Sequence, residues 1–369
     1  MKNRSSSWLI ISFLLLSLFT IGCGDDEGNQ PSYSVPDTYQ FENVDYSGQL
    51  TRLSMLNGLK DYMKTGVSAD VVLDAEQLLA MYANTADANW GVAYDDSKQL
   101  KNKTFESAQS DFEALLTQLA ATSAHGNAAV SGAAGVAVSL DGSKTYLLNE
   151  FGVEAIQVIE KGLMGACLYY QATSVYFGEG KMSGDNSAVV EGKGTEMEHA
   201  WDEAFGYLGV PQDFPSNTDG LFFWGDYLND RNELLMLNQA LMEAFRTGRA
   251  AISNDDIATR DQQITTIRNL WEKSIAATAI HYINSTIENF DDYAIRCHAL
   301  SEAVAFTYSL KFNEGRSLSN SEIDDLLLEI GGSSNLTELD LLNITLVDLE
   351  AARSTMAEKF ELTEQMLEL

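Results

Sequence analysis

The sequence predicts an all-α protein built from two duplicated helical-bundle halves packed together, and three observations support this. Apolar residues recur at helical spacing through most of the chain. Only 4 prolines occur among 369 residues, which suits long helices because proline breaks a helix interior. A weak internal repeat of helical segments indicates duplication. The one expected departure from helix is a small β-hairpin near 136–148.

The N-terminus has the parts of a secretory signal. Lys2 and Arg4 give it a positive start, and a short apolar run follows from Trp8 to Phe19. That run falls short of the roughly 20 residues that a bilayer span needs. A small residue directly before Cys23 resembles a lipoprotein signal, which implies that residues 1–22 are removed and that lipidated Cys23 holds the chain on a membrane. An ordinary secretory signal is the alternative.

The residues after Cys23 predict a tether. The acidic run Gly24 to Glu27 resembles the export signal of surface lipoproteins, so we expect an outer-membrane anchor at either the cell surface or the periplasmic face. Residues 23–40 are polar and include two prolines, as expected of a lipid anchor and flexible linker. Residues 41–369 form the expected helical domain.

Helical spacing and turn residues define the elements in chain order. Predicted helices cover 49–63, a segment starting at 68, 105–120, 153–176, 196–208, 232–247, 257–287, 293–310, 322–330 and 347–367. The 153–176 segment is apolar on several sides, so we expect a buried central helix. Ser319 and Glu322 have the spacing of a helix capping box. Two short runs around Asp141-Gly142 predict the hairpin.

The charge balance restricts the possible partners. Asp and Glu total 54 against 23 Lys and Arg, which gives a net charge of −31. Such a surface repels nucleic acid and other phosphate-rich partners and attracts cations, although a need for solubility alone also explains the excess of acidic residues.

Besides Cys23, the chain has Cys167 and Cys297, which either form a disulfide or remain as buried free thiols.

The repeat lies in approximate halves 150–210 and 255–312. Each half has a long apolar helix with a Glu-Lys pair, Glu160-Lys161 in the first half and Glu272-Lys273 in the second. A loop and a second helix follow, with the sequence HAWDEA at 199–204 matched by HALSEA at 298–303. Both matches occur in the same order, which favours duplication.

The repeated motif supplies the candidate metal ligands. In a helix, His and Glu four residues apart lie on the same face, one turn apart. An imidazole and a carboxylate so placed can share a transition-metal ion. The predicted metal ligands are His199, Glu203, His298, Glu302 and, three residues before the first histidine, Glu196. Two ordinary helix-stabilising pairs are the alternative interpretation.

Other chemical motifs are absent from the sequence. It has no nucleophile elbow, phosphate-binding loop, dinucleotide fingerprint or H-E-x-x-H zinc motif. The absence of two histidines on one helix argues against standard zinc peptidase chemistry. Trp201 and Trp224 belong to an aromatic group near the first repeat motif, which either covers the core or lines a ligand site.

Three segments resemble a family of bacterial lipoproteins known as domain of unknown function 4856. They are YQFENVDYSGQ at 39–49, HAWDEAFGYLGVP at 199–211 and HALSE at 298–302. More distantly, the chain is similar to imelysin-like proteins, which are secreted or lipidated, all-helical, built from two bundle-like halves and linked to iron uptake.

This resemblance implies a non-enzymatic envelope protein. It would bind iron, another divalent cation or an iron-bearing ligand for uptake, with envelope iron-uptake proteins as partners. A metal-dependent peptidase or other hydrolase is one alternative. A metal-free module that binds a protein partner or a glycan is the other.

Overall fold

Helices dominate the computed structural model, which describes residues 33–68 and 70–369. The predicted signal peptide and Cys23 lie outside the described residues. The all-α prediction is confirmed, and so is the hairpin, in which β1 (Gly135–Val138) pairs antiparallel with β2 (Thr145–Leu148). Within the described part of the chain, no helix is both long and apolar enough to cross a membrane.

The helices follow the predicted order. Their bounds are α1 Ser47–Thr65, α2 Ala75–Ala83, α3 Gln109–Ser123, α4 Ala155–Leu163, α5 Glu179–Met182, α6 Glu196–Gly206, α7 Trp224–Leu235, α8 Leu237–Ser253, α9 Ile257–Glu288, α10 Tyr293–Ser309, α11 Asn320–Gly331 and α12 Leu346–Lys359. The predicted capping box forms at α11, where Ser319 and Glu322 satisfy each other's backbone N–H groups.

Several boundaries differ from the sequence prediction, and the last helix, predicted over 347–367, ends at Lys359. Two of the differences have a clear local reason. The helix predicted from residue 68 begins at α2, because the Asp74 carboxylate accepts hydrogen bonds from the first-turn N–H groups and caps the helix there. The helix predicted over 232–247 is two helices, α7 and α8. Met236 between them has a left-handed backbone with φ of 54°, which interrupts the helical hydrogen bonds.

The expected central helix over 153–176 changes type along its length. It is α-helical through α4 and then π-helical over Met164–Tyr169 and Gln171–Tyr176; we call residues 164–176 the π-helical segment. A Cβ atom on Gly165 would meet the Ser309 Oγ on α10, so only glycine allows this close approach of the two helices. Apolar periodicity alone does not distinguish a π-helix from an α-helix.

The core is shared by the two predicted halves. α9 packs against α8, α10 and α12, and α10 also packs against α4 and α11. One buried apolar cluster runs from Tyr39 to Leu369, and residues 33–369 form one compact unit. In each half the long helix packs against the helix that follows it, α6 on the π-helical segment and α10 on α9. The duplication itself stays a prediction.

A buried arginine joins three parts of the fold. Arg249 on α8 is 1% exposed, and it donates from Nε to the Asp202 Oδ1 at 3.0 Å and from Nη1 to the Glu198 Oε1. Tyr39 donates its hydroxyl to the same Asp202 oxygen at 2.7 Å. The guanidinium also lies 5.1 Å from the Phe41 ring centre. α6, α8 and the segment before α1 are therefore held together by one buried charge network.

The segment predicted to end the linker is packed against the domain. Tyr39 is fully buried and stacks on Phe205 with ring centres 3.7 Å apart. Arg246 donates to the Pro36 carbonyl at 2.9 Å. Residues from about 36 onward thus belong structurally to the domain, slightly before the predicted boundary at 41.

Replacing Arg249 by Met should lower the free energy of unfolding by about 3–5 kcal/mol, because Asp202 would be left buried without its charged partner. Urea denaturation of the purified chain measures this loss. Lys359→Met is the matched control, since it breaks the exposed Lys359–Glu322 pair and should change stability little. Equal effects of the two substitutions would show that the Arg249 network does not hold the fold.

Candidate functional site

Helix α6 presents two different faces, one to the core and one to a cavity. Its N-terminus is fixed by a capping box in which Thr195 and Glu198 satisfy each other's backbone N–H groups. Glu198 and Asp202, four residues apart, point at the buried Arg249. His199 directly follows Glu198 and Glu203 directly follows Asp202, so His199 and Glu203 occupy the neighbouring face of the helix. The predicted His-Glu pair therefore lies at a partly open surface.

That surface is the wall of a small polar cavity, which we call the cationic cavity. Its volume is about 270 Å³. It is lined by Asp45, Ser47, Gly48, Gln49, Arg52, Lys98, Lys103, Tyr176, Lys193, His199 and Glu203. Four of the chain's 23 Lys and Arg residues thus surround one cavity in a protein of net charge −31.

The Glu203 carboxylate is held by two neutral donors. Gln49 donates from Nε2 to Glu203 Oε1 at 2.8 Å, and the Tyr176 hydroxyl donates to the same oxygen at 3.1 Å. Burial, and then the charge of Glu203, raises the pKa of Tyr176, so its hydroxyl remains a donor. His199 Nε2 lies 4.0 Å from Glu203 Oε2, and its buried Nδ1 has no hydrogen-bond partner among the described residues.

Arg52 is the most enclosed cation in the cavity. It is only 5% exposed, and its guanidinium donates to the carbonyls of Gln99 at 3.0 Å and Gly48 at 3.1 Å. A Cβ atom on Gly48 would lie 3.5 Å from both Arg52 Nη1 and Lys98 Nζ, so these nitrogens are no further apart than twice that distance. Backbone carbonyls thus orient this guanidinium without neutralising its charge.

Lys103 experiences the same crowding of positive charge. Burial, and then the charge of Arg52, lowers the pKa of Lys103. Its Nζ lies over the Tyr176 ring, 5.7 Å from the centre. Among the described residues, Arg52, Lys98, Lys103 and Lys193 form no ion pair with a carboxylate within 4.0 Å. The four charges around this cavity are therefore not matched by direct partners.

The N-terminus of α1 adds its own positive potential. Ser47, Gly48 and Gln49 are the first residues of this 19-residue helix and line the cavity. Asp45 accepts from the Ser47 N–H at 3.0 Å, and this hydrogen bond lowers the pKa of Asp45, with smaller contributions from the charges of His199 and Lys193. The backbone and side chains together form a site suited to an anion.

The second His-Glu pair lies in different surroundings. His298 on α10 shares a 2.6 Å hydrogen bond between its Nδ1 and the Glu154 Oε2, just before α4. Its ring stacks on Tyr146 of β2 with centres 4.2 Å apart. Burial lowers the pKa of His298, but the hydrogen bond and charge of Glu154 outweigh it, so the net shift is upward. Through its contacts with Tyr146 and Glu154, His298 connects the hairpin to the helical core.

Glu302 binds a buried lysine and not its predicted histidine. Lys161 Nζ lies 3.1 Å from Glu302 Oε1 and 3.0 Å from Glu160 Oε2, and it donates to Gln157 Oε1 at 2.6 Å. Burial opposes the charged form of Lys161, but Glu302 and Glu160 outweigh it and raise its pKa. Lys161 is therefore a charged group inside the core, balanced by two carboxylates.

The five predicted metal ligands are not assembled into one site. His199 and Glu203 line the cationic cavity, His298 bonds Glu154, and Glu302 bonds Lys161. Glu196 is exposed and accepts from the Asp185 N–H at 3.3 Å. In residues 33–68 and 70–369, no group of three or more His, Cys, Asp or Glu side chains could hold a metal ion. α6 and α10 therefore do not share a metal site, because Glu203 on α6 and Glu302 on α10 bind different partners.

The two tryptophans are core residues. Trp201 is fully buried and donates from Nε1 to the Phe245 carbonyl at 3.0 Å, and Trp224 is 2% exposed and donates to the Met164 carbonyl at 2.9 Å. Because their indole N–H groups are satisfied inside the core, both tryptophans contribute to core packing and do not line a ligand site.

Cys167 and Cys297 are buried free thiols, and burial raises their pKa values to about 12 and about 11.

Sequence reasoning missed the basic residues of the cationic cavity. Arg52 lies on α1, Lys98 and Lys103 lie in the connection from α2 to α3, and Lys193 lies in the loop before α6. No spacing rule connects them, and the net charge of −31 suggested the opposite polarity. Only the predicted pair of His199 and Glu203 pointed to this location.

Comparison with known proteins gives one match. The profile of a protein family described as "Domain of unknown function (DUF4856)" matches residues 36–363. This range includes every residue that lines the cationic cavity. Searches of curated proteins and of solved structures found no match.

The His298–Glu154 bond should make stability depend on pH. The pKa of His298 in the folded state is raised above its ordinary value of about 6.5. The stabilisation from the charged imidazole is therefore fully present below about pH 6.5, and it is lost as the pH rises through the folded-state pKa. His298→Asn should therefore destabilise the chain by about 1–2 kcal/mol at acidic pH and by less at alkaline pH. Urea denaturation across a pH series measures the difference.

The matched control is His125→Asn, which changes an exposed histidine. Its effect on stability should be small at every pH. A His298→Asn effect that stays constant across the pH series would contradict the charged hydrogen bond.

Proposed function

The chain belongs to the family described as a domain of unknown function (DUF4856), and on that premise we propose that it is a non-enzymatic binding protein of the cell envelope whose cationic cavity takes a small anion. The expected family membership is confirmed. The lipid anchor at Cys23, the outer-membrane location and the distant imelysin likeness remain part of the proposal. Envelope uptake proteins would be its partners.

One observation supports the proposal most strongly, the concentration of unpaired positive charge. Arg52, Lys98, Lys103 and Lys193 surround a cavity of about 270 Å³. Like charges held this close repel one another, and an anion bound between them removes that cost. Burial, followed by the charge of Arg52, lowers the pKa of Lys103. The N-terminus of α1 supplies further favourable potential for negative charge.

The carboxylates of the cavity favour an anion that also carries hydroxyl groups. Asp45 and Glu203 both line the cavity and can accept hydrogen bonds from a ligand hydroxyl. His199 also lines the cavity, with its Nε2 4.0 Å from Glu203 Oε2, and offers one more polar contact. A hydroxycarboxylate or a small phosphate ester combines these features, and the volume limits the ligand to a small one.

Iron, if it is the cargo, would enter this cavity as an anionic chelate. A bare divalent cation would meet four positive side chains around His199 and Glu203, which oppose its approach. A ferric hydroxycarboxylate complex would meet complementary charge. The iron-bearing ligand is therefore the form of the iron-uptake hypothesis that the cavity supports. A metal-dependent hydrolase has no supporting ligand group among the described residues.

Neutralising two accessible lysines of the cavity should weaken anion binding. Lys98→Gln combined with Lys193→Gln should raise the Kd for citrate or inorganic phosphate about tenfold or more, because each lysine contributes a charge-assisted contact. Isothermal titration calorimetry of the purified chain with citrate, inorganic phosphate and ferric citrate measures this change. Binding should also weaken as salt is added, since the contacts are electrostatic.

The matched control is Lys64→Gln combined with Lys144→Gln, which removes the same charge from exposed positions outside the cavity. It should leave the Kd unchanged. The proposal fails if the two double variants weaken binding equally, since net charge alone would then explain the effect. It also fails if none of the three anions binds the unmodified chain.

A further inference from the structure

A second cavity, more than twice as large, shares no lining residue with the cationic cavity. Its volume is about 590 Å³, which is within the usual range of small-molecule sites. It lies between α3, the π-helical segment and the connection from α10 to α11. The lining residues are Phe105, Ser107, Ala108, Asp111, Tyr170, Ser174, Tyr308, Lys311, Phe312, Asn313, Glu314, Arg316, Asn320, Asp324, Ser334, Asn335 and Leu336.

The walls of this second cavity are tied together by backbone contacts. Ser174 on the π-helical segment donates its hydroxyl to the Phe312 carbonyl at 2.9 Å and accepts from the Glu314 N–H at 3.0 Å. Phe105 donates its N–H to the Ala166 carbonyl at 2.8 Å. Three segments that are distant in sequence are thus held at fixed positions relative to one another, so the cavity is largely preformed.

Aromatic rings form one side of the second cavity. Phe105 is 38% exposed, and its position is fixed by edge contacts with Tyr170 at 5.1 Å and Phe312 at 5.7 Å between ring centres. Tyr308 packs in turn on Phe312 at 5.1 Å. An exposed aromatic ring supported by others provides a rigid apolar surface for a ligand.

Polar groups with unused hydrogen-bonding capacity form the other side. Asn313 is fully buried, its Oδ1 accepts from the Gly315 N–H at 3.0 Å, and its Nδ2 has no acceptor among the described residues. The buried Arg316 Nε also lacks an acceptor there. Both of these nitrogens are inaccessible at the cavity surface, and the Asn313 side chain faces the buried Tyr169 hydroxyl. The polar groups that a ligand can reach on this side are the carboxylates of the half-buried Asp111 and the exposed Glu314.

The charges of the second cavity differ from those of the cationic cavity. Lys311 and Asp324 neutralise each other at 2.6 Å. Glu314 lies 3.7 Å from the Arg268 guanidinium, which leaves Asp111 and Arg316 and a net charge close to zero. Such a cavity favours neither anions nor cations, and its many polar groups disfavour a purely apolar ligand.

We propose that the second cavity binds a neutral saccharide of a few rings. The C–H face of a sugar packs on an aromatic ring such as Phe105, while its hydroxyls donate to the carboxylates of Asp111 and Glu314. A sugar is the ligand class that presents apolar faces and many hydroxyls without net charge. The binding of this ligand is independent of the anion site.

Saturation-transfer difference NMR of the purified chain with cellobiose, maltose and N,N′-diacetylchitobiose tests the proposal. At least one disaccharide should bind, and Phe105→Ala should weaken its binding about tenfold or more through loss of the apolar contact. Phe151→Ala is the matched control, because Phe151 is 45% exposed and lies outside this cavity. Glu314→Gln, at an exposed position, should weaken binding as well without affecting the fold.

The Lys98→Gln and Lys193→Gln double variant separates the two sites, since it should leave saccharide binding unchanged while it weakens anion binding. The saccharide proposal is overturned if none of the three disaccharides binds. It is also overturned if Phe105→Ala and Glu314→Gln bind a disaccharide as tightly as the Phe151→Ala control does. Failure of anion binding alone leaves it intact.

Discussion

The position of α6 depends on the buried guanidinium of Arg249. Its contacts with Asp202 and Glu198 orient one face of the helix inward, and the helical repeat then turns His199 and Glu203 toward the cationic cavity. Burying this charge is unfavourable by itself, and the carboxylates of Asp202 and Glu198 compensate for that cost. Tyr39 donates to the same Asp202 oxygen and supports this arrangement. The same contacts draw the segment before α1 onto the domain, which brings the start of α1 to the cavity.

Local and overall charge have opposite signs in this protein. The net charge of −31 repels polyanions at long range, but salt screens that repulsion beyond about 10 Å. Within the cationic cavity, Arg52 and three lysines determine the potential. A small anion that diffuses to this surface therefore meets attraction, whereas a nucleic acid is repelled by the whole surface. The two properties together favour small, compact anions.

The π-helical segment contributes to both cavities. Tyr176 at its end lines the cationic cavity, while Tyr170 and Ser174 line the second cavity. The wider π-helical turn changes the direction of successive side chains relative to an α-helix, and such turns are frequent at functional sites. The buried Lys161, just before this segment, is compensated by Glu160 and Glu302, which makes this region of the core polar as well as tightly packed.

The sequence by itself determined the helical class, most helix positions, the hairpin and the Ser319 capping box, because these depend on local periodicity and on residues a few positions apart. It also determined that His199 and Glu203 share a helix face. Tertiary structure decided the rest. The partners of His298 and Glu302 are Glu154 and Lys161, which lie more than a hundred residues away from them. Gly165 in the π-helical segment packs closely on Ser309, and the cationic cavity results from four separate segments meeting in space. Contacts of this kind depend on how the whole chain packs, so a local sequence pattern does not predict them.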